Sequence, residues 1–107
     1  MEEVGIIKDN NMSYNNKTLL RQHITFSGRV QGVGFRYTAG RAANKNGCTG
    51  WVRNEPDGTV SMEIQGTKEQ IESVIHTVIN SKFIRVRSMD VKDLEPETRE
   101  YDFRILR

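Results

Sequence analysis

Between Gly28 and Tyr37 the chain reads GRVQGVGFRY, with glycines at 28, 32 and 34 and an arginine at 36. A strand-like run precedes this stretch and a helix-like run follows it. Where a strand ends and a helix begins, successive backbone N–H groups have no helical partner, and they can converge into a concave anion site. The positive end of the helix dipole adds to that site. Glycine lets the backbone turn sharply and approach a ligand with no Cβ in the way. An arginine in the first helical turn, Arg36, can then fork two hydrogen bonds onto a phosphate or carboxylate. The chemistry suggested is capture of an oxyanion. A plainer use of the same residues is a tight connection in which Arg36 pairs with a surface carboxylate, and short glycine motifs alone do not separate the two.

Two familiar phosphate motifs do not fit. Gly32-Val33-Gly34 begins like a dinucleotide fingerprint, but Tyr37 stands where the third glycine belongs. A Walker loop needs Gly-Lys-Ser/Thr, and the loop has no lysine. Other reactive side chains offer less. Cys48 has no histidine or cation near it in the chain and reads as a small buried apolar group. His23 and His76 lack metal-ligand spacing, and His76 falls at the edge of an apolar stripe, where solvent reaches it. Asn54, before a turn, is by itself a turn former. Trp51 and Val52 read as packing residues, and Arg85 and Arg87 as a solvated strand face.

The elements that must position the loop follow from periodicity. In HITFSGRV, Ile24, Phe26 and Val30 share one face of a strand. FRYTAGRAANKNG predicts a helix with Phe35, Ala39, Ala42 and Ala43 on one stripe, stopped by Asn46-Gly47; Gly40 inside it suggests close packing on the sheet. CTGWVRN and TVSMEIQG are short strands joined by the turn EPDG, and Val60, Met62 and Ile64 alternate with Ser61, Glu63 and Gln65. TKEQIESVIHTVIN opens on a Thr67–Gln70 capping box and carries Ile71, Val74, Ile75, Val78 and Ile79 along one face. In FIRVRSMDVKD, Ile84 and Val86 are out of phase with Met89 and Val91, which a bulge near Arg87-Ser88 would reconcile. REYDFRIL closes the chain as a strand with Tyr101, Phe103 and Ile105 inward. The order strand, helix, strand, strand, helix, strand, strand defines an α+β class, the split βαβ sandwich: an antiparallel sheet of four to five strands with two helices on one face.

Bulk properties narrow the partners. The 107 residues suffice for one domain. Residues 1–21, rich in Asn and without periodicity, read as a flexible N-terminal tail, and residues 22–107 as the folded domain. A net charge of +2 with no basic block argues against nucleic acid or an anionic membrane as the main partner. The lone cysteine excludes an internal disulfide, the start has no secretion-signal pattern, and no apolar run reaches the ~18 residues of a membrane span. A cytoplasmic monomer is the expectation. RNA binding by a sheet face, which the same fold supports elsewhere, would need aromatics on the third strand, and TVSMEIQG has none.

GRVQGVGFRY followed by GCTGWVRNEPDGTVSMEIQG resembles the acylphosphatase family. That family carries a Gly-x-Val-Gln-Gly-Val-Gly-Phe-Arg loop and a Gly-Trp-Val-x-Asn strand leading into an Asp-Gly turn. Both are complete here, from Gly28 to Arg36 and from Gly50 to Asn54, and the likeness runs from about His23 to Leu106. The resemblance implies a ferredoxin-like sandwich and a hydrolase that splits carboxyl-phosphate mixed anhydrides, a small-molecule substrate, with no metal and no cofactor. It implies that Arg36 binds the phosphate, that Asn54 positions water, and that backbone amides of Gln31, Gly32, Val33, Gly34 and Phe35 hold the phosphate oxygens. A non-catalytic domain that keeps the pocket for phosphate or carbamoyl phosphate is the alternative, and turnover against simple binding separates the two. The linker NSKFIRVRS departs from the family's Gly-Pro-type turn and Ala-Arg-Val strand, so a changed surface is expected there.

Overall fold

The computed structural model describes residues 18–107; the expected tail therefore lies mostly outside the described residues. The elements are β1 (Leu20–Arg29), α1 (Phe35–Lys45), β2 (Thr49–Asn54), β3 (Val60–Gly66), α2 (Lys68–Ile79), β4 (Arg85–Leu94) and β5 (Phe103–Ile105). They build a five-stranded sheet in the order β4-β1-β3-β2-β5. β1 pairs antiparallel with β3 and β4, and β2 antiparallel with β3. β5 joins β2 in parallel, so the antiparallel sheet expected from the sequence becomes mixed at that one edge. This is the ferredoxin-like α+β architecture. β1 starts at Leu20, two residues before the expected domain start at residue 22, and Arg21 is already buried.

Period-two alternation places Ile24, Phe26, Val52, Val60, Met62 and Ile64 on one face, where all are buried. Phe35, Ala39, Ala42 and Ala43 from α1 and Ile71, Val74 and Val78 from α2 close the same core. α1 comes unusually near β5: a Cβ on Gly40 would sit 2.8 Å from the Ile105 Cδ1. α2 begins on the expected capping box, with the Gln70 amide donating to Thr67 Oγ1 (3.2 Å) and the Thr67 amide to Gln70 Oε1 (2.8 Å). The stripe on α2 is narrower than its sequence suggests, because Ile79 is exposed. The β4 bulge is where the phase break put it: Ser27 pairs with Ser88 but Gly28 with Val86, leaving Arg87 extra.

The strand order also explains the other face. β4 and β5 lie at opposite edges, so residues 95–102 must cross the three strands between them. Four strand spacings of about 4.8 Å need roughly 19 Å, within reach of eight extended residues at about 3.3 Å each. The crossing runs over the face without helices. There Gln65 exchanges hydrogen bonds with the Glu97 backbone (2.9 and 2.7 Å), and Arg21 donates to Glu100 Oε1 (2.6 Å) and Glu63 Oε1 (3.1 Å). His23 Nδ1 lies 2.8 Å from Glu63 Oε2, with its ring edge-on to Trp51. Tyr101 does not point inward as the closing strand pattern predicts; it belongs to this crossing and is 84% exposed. Phe103 and Ile105 share the inward face of β5, with Phe103 buried and Ile105 half exposed at the sheet edge beside Gly40.

Burial alone would raise the Glu63 carboxyl, but the hydrogen bonds from His23 and Arg21, with the Arg21 charge, outweigh it and hold the group below its ordinary value. A depressed carboxylate contributes stability above its unfolded-chain value, near 4.5, and loses that contribution as pH falls through the lower folded value. Glu63→Gln is therefore expected to lower Tm at pH 7, with the gap to wild type closing below pH ~4.5. Thermal unfolding of both proteins across that range checks this.

Candidate active site

Val30 and Phe35, both buried, pin the two ends of the loop in the core; the Phe35 ring packs 4.8 Å from that of Phe26. The four residues between them must bend. Gly32 and Gly34 take φ of +73° and +83°, values that L side chains rarely adopt, so the bend requires glycine. Gly34 is also the N-cap of α1, with no side-chain cap and no acidic residue in the first turn. The Thr38 amide makes the first helical bond, to Gly34 O at 3.0 Å, so the amides of the preceding turn have no helical acceptor. Arg36 follows Phe35 by about 100° around the helix and is turned away from the core toward this loop end.

The loop is fastened sideways to the β2–β3 turn. Gln31 Nε2 donates to Glu55 O (2.8 Å) and Thr59 O (2.9 Å), and Thr59 O also accepts from the Glu55 amide (2.9 Å). Asp57 shapes the turn by accepting from the Thr59 amide (3.0 Å) and hydroxyl (2.7 Å), bonds from Thr59 that hold its carboxyl below the ordinary range. Gln31→Ala would remove two hydrogen bonds, at about 1 kcal/mol each, leaving Glu55 O with the Gly58 amide and Thr59 O with the Glu55 amide, and would free the loop from the turn. A fall in Tm of several degrees with a weakened affinity for inorganic phosphate is the expected result, read by calorimetry and phosphate titration.

A cavity of about 380 Å³ opens at this loop, lined by Val30, Gly32, Gly34, Phe35, Arg36, Tyr37, Asn54, Ile105, Leu106 and Arg107. It brings together Arg36 from α1 and Asn54 from the end of β2. Asn54 shares the inward parity of Val52, which directs it to the helix side of the sheet. Of the other residues singled out from the sequence, Gly32, Gly34 and Phe35 line the cavity. Gln31 and Val33 do not: Gln31 is engaged with the turn, and Val33 lines a neighbouring recess. Among the described residues no acidic side chain lines the cavity, and Arg36, Arg107 and the loop amides give it a positive field.

Leu106 is a participant that the sequence did not disclose. Its amide donates to Val52 O (2.8 Å), continuing the β5–β2 pairing, and its carbonyl accepts from Arg36 Nη1 (2.9 Å). One backbone unit thus ties the Arg36 guanidinium to the strand that carries Asn54. Any residue type supplies a carbonyl, so no side-chain pattern could have revealed this. Cys48 is buried 3% exposed in the core, and burial pushes its thiol up to about 11, which leaves it a packing group. Among the described residues no three His, Cys, Asp or Glu side chains converge so as to hold a metal ion.

Fold and site together define a ferredoxin-like domain in which a glycine-bent loop, an arginine and an asparagine share one cavity. The acylphosphatase family model matches residues 22–105, and the chain belongs to that family. It is similar to an acylphosphatase of Oceanobacillus iheyensis, 42% identical over 84 residues that cover 77% of this chain and 92% of that one. The crystal structure of acylphosphatase from Bacillus subtilis superposes with a TM-score of 0.76 at 35% identity, covering 82% of this chain and 99% of that one. A full-length HypF in the phosphate- and nucleotide-bound form matches with a TM-score of 0.74 at 27% identity, over 84% of this chain but 12% of that one.

Proposed function

We propose that this chain hydrolyses acyl phosphates to a carboxylate and inorganic phosphate, with Arg36 and the loop amides holding the phosphoryl group and Asn54 aiming water at phosphorus. The observation that carries the assignment is the single cavity in which Gly32, Gly34, Arg36 and Asn54 meet. An acyl phosphate is already activated: its leaving group is a carboxylate of pKa ~4, which departs without a proton donor. The transition state is loose, with charge spread over the equatorial oxygens, so positioning and charge stabilisation are most of the work. Arg36 has one N–H engaged by Leu106 O, and the guanidinium keeps further donors for a phosphoryl group. The amides of Gly32, Gly34, Phe35 and Arg36 meet the remaining oxygens. The Asn54 carbonyl oxygen accepts from the attacking water, and the phosphoryl group itself takes the proton. Water's oxygen bonds to phosphorus as the bond from phosphorus to the acyl oxygen breaks.

The same account needs neither metal nor cofactor and takes the chain as a cytoplasmic monomer. The cavity is complete within one chain, and Cys48 asks for no oxidising compartment. It gives nucleic acid no part. The helix-free face, where a sheet would stack bases, carries Glu63 and Glu100 on Arg21 beneath the 95–102 crossing. Release of inorganic phosphate from benzoyl phosphate, undiminished by a chelator, is the expected result. Binding of phosphate without turnover would refute the catalytic assignment.

A further inference from the structure

A second recess abuts the anion loop from its other side. It is lined by Arg29, Gly32, Val33, Lys82, Phe83 and Arg85, and Gly32 is common to it and to the catalytic cavity. Among the described residues its charge is one-sided, with Arg29 from β1, Arg85 from β4 and Lys82 from the α2–β4 linker, and no acidic side chain in the lining. Arg29 and Arg85 stand directly opposite each other in the β1–β4 register, a like-charge pair that destabilises a sheet. Among the described residues neither makes an ion pair with a carboxylate, and Lys82 makes none either. A solvated strand face would more cheaply alternate its charges. Arg85 is moreover held, not waving: its Nη1 donates to Lys82 O (2.8 Å) and Ile84 O (3.1 Å). Phe83, 66% exposed, lies beside the cluster with the Lys82 ammonium 5.5 Å above its ring. Lys82 and Phe83 fall within the linker that departs from the family pattern, so this chain has built its own surface there.

We propose that Arg29, Lys82 and Arg85 form a subsite for a second anionic group on the acyl portion of the substrate, and so select acyl phosphates whose acyl chain ends in a phosphate, phosphonate or carboxylate. The inference rests on the assignment of the phosphoryl group to the Gly32–Arg36 loop. With that group bound on one side of Gly32, an acyl chain passing over the glycine delivers its far end to the cations on the other side. The absence of a Cβ matters for that passage: nothing lies within 4 Å of the position a Gly32 Cβ would take, so the space above it is open. Phe83 offers an apolar wall to the intervening methylenes. The bond broken is unchanged, and the cluster acts on affinity and orientation only. Three exposed cations converging on one recess suit a dianion better than a monoanion, so a terminal phosphonate should be preferred to a terminal carboxylate.

The test compares kcat/KM for propanoyl phosphate, succinyl phosphate and 3-phosphonopropanoyl phosphate at low ionic strength. Wild type is expected to favour the phosphonate-bearing substrate over propanoyl phosphate by about tenfold, with succinyl phosphate between, and the preference should shrink as salt screens the cluster. In Arg29→Gln/Lys82→Gln/Arg85→Gln the preference should vanish while the propanoyl phosphate rate stays at the wild-type level, which also certifies the fold. Single Lys82→Gln and Arg85→Gln variants, each exposed, should lose part of it. Equal kcat/KM for the three substrates in wild type, or a preference that survives the triple substitution, would overturn the proposal. So would methylphosphonate altering propanoyl phosphate turnover in wild type but not in the triple variant without any substrate preference, since the cluster would then bind a separate anion. Absence of propanoyl phosphate turnover in wild type would strike the acylphosphatase assignment itself.

Discussion

Arg36→Ala is expected to lower kcat/KM for benzoyl phosphate by about 10³ or more, with losses in both binding and turnover. One oxyanion donor removed from a preorganised site typically costs about 10²–10³ in kcat, and Arg36 supplies a full charge as well. A factor of 10³ corresponds to about 4 kcal/mol of transition-state stabilisation. Among the described residues no acidic side chain lines the cavity to offset the arginine's field. Arg36→Lys should recover little. An ammonium is a point charge, and it cannot both keep the Leu106 carbonyl and present a planar fork to phosphate. The fold should persist in both variants, because the lost contact is a single hydrogen bond to a backbone carbonyl, worth about 1 kcal/mol. Steady-state kinetics beside thermal unfolding separate the two effects. Normal turnover by a folded Arg36→Ala protein would end the assignment.

Asn54→Ala is expected to do something different: kcat should fall by about 10² while KM and the affinity for inorganic phosphate stay near wild type. The amide is asked only to place the nucleophile, and positioned groups of this kind contribute about 10²–10⁴. The proposed phosphate ligands, the loop amides and Arg36, lie on other elements. Asn54→Asp keeps the shape but sets a carboxylate before a phosphoryl dianion, so it should raise KM as well as lower kcat. A KM that rises with Asn54→Ala as steeply as kcat falls would make Asn54 a substrate ligand and not a director of water.

What the sequence disclosed of this site were its side chains and its local bends. Arg36, Asn54 and the glycines at 32 and 34 sit inside contiguous strings, and their geometry follows from the next few residues: Phe35 buried, Gly34 at positive φ, Asn54 in phase with Val52. The two helices, the capping box and the β4 bulge were legible for the same reason, since each is written in a period or a phase break. Contacts between segments far apart in sequence were not. Leu106 reaches Arg36 through its carbonyl, 70 residues away, and the Arg21–Glu63–Glu100 network spans as many as 79. Arg21 read as part of a polar tail because its partners come from β3 and from the crossing that only the strand order requires. Tyr101 read as inward because the alternation in REYDFRIL begins two residues before β5 does. Arg85 is exposed, as its strand pattern predicts, but its place opposite Arg29 follows only from the register.

The central claim is that main-chain donors of the loop and the Arg36 guanidinium hold one phosphate. The direct measurement is a titration of ¹⁵N-labelled protein with inorganic phosphate, followed by amide and arginine Nε resonances. The account predicts that the largest shifts fall at the amides of Gly32, Gly34, Phe35 and Arg36 and at the Arg36 side chain, and that Asn54→Ala leaves them in place. Saturable shifts centred elsewhere, with residues 32–36 silent, would contradict it.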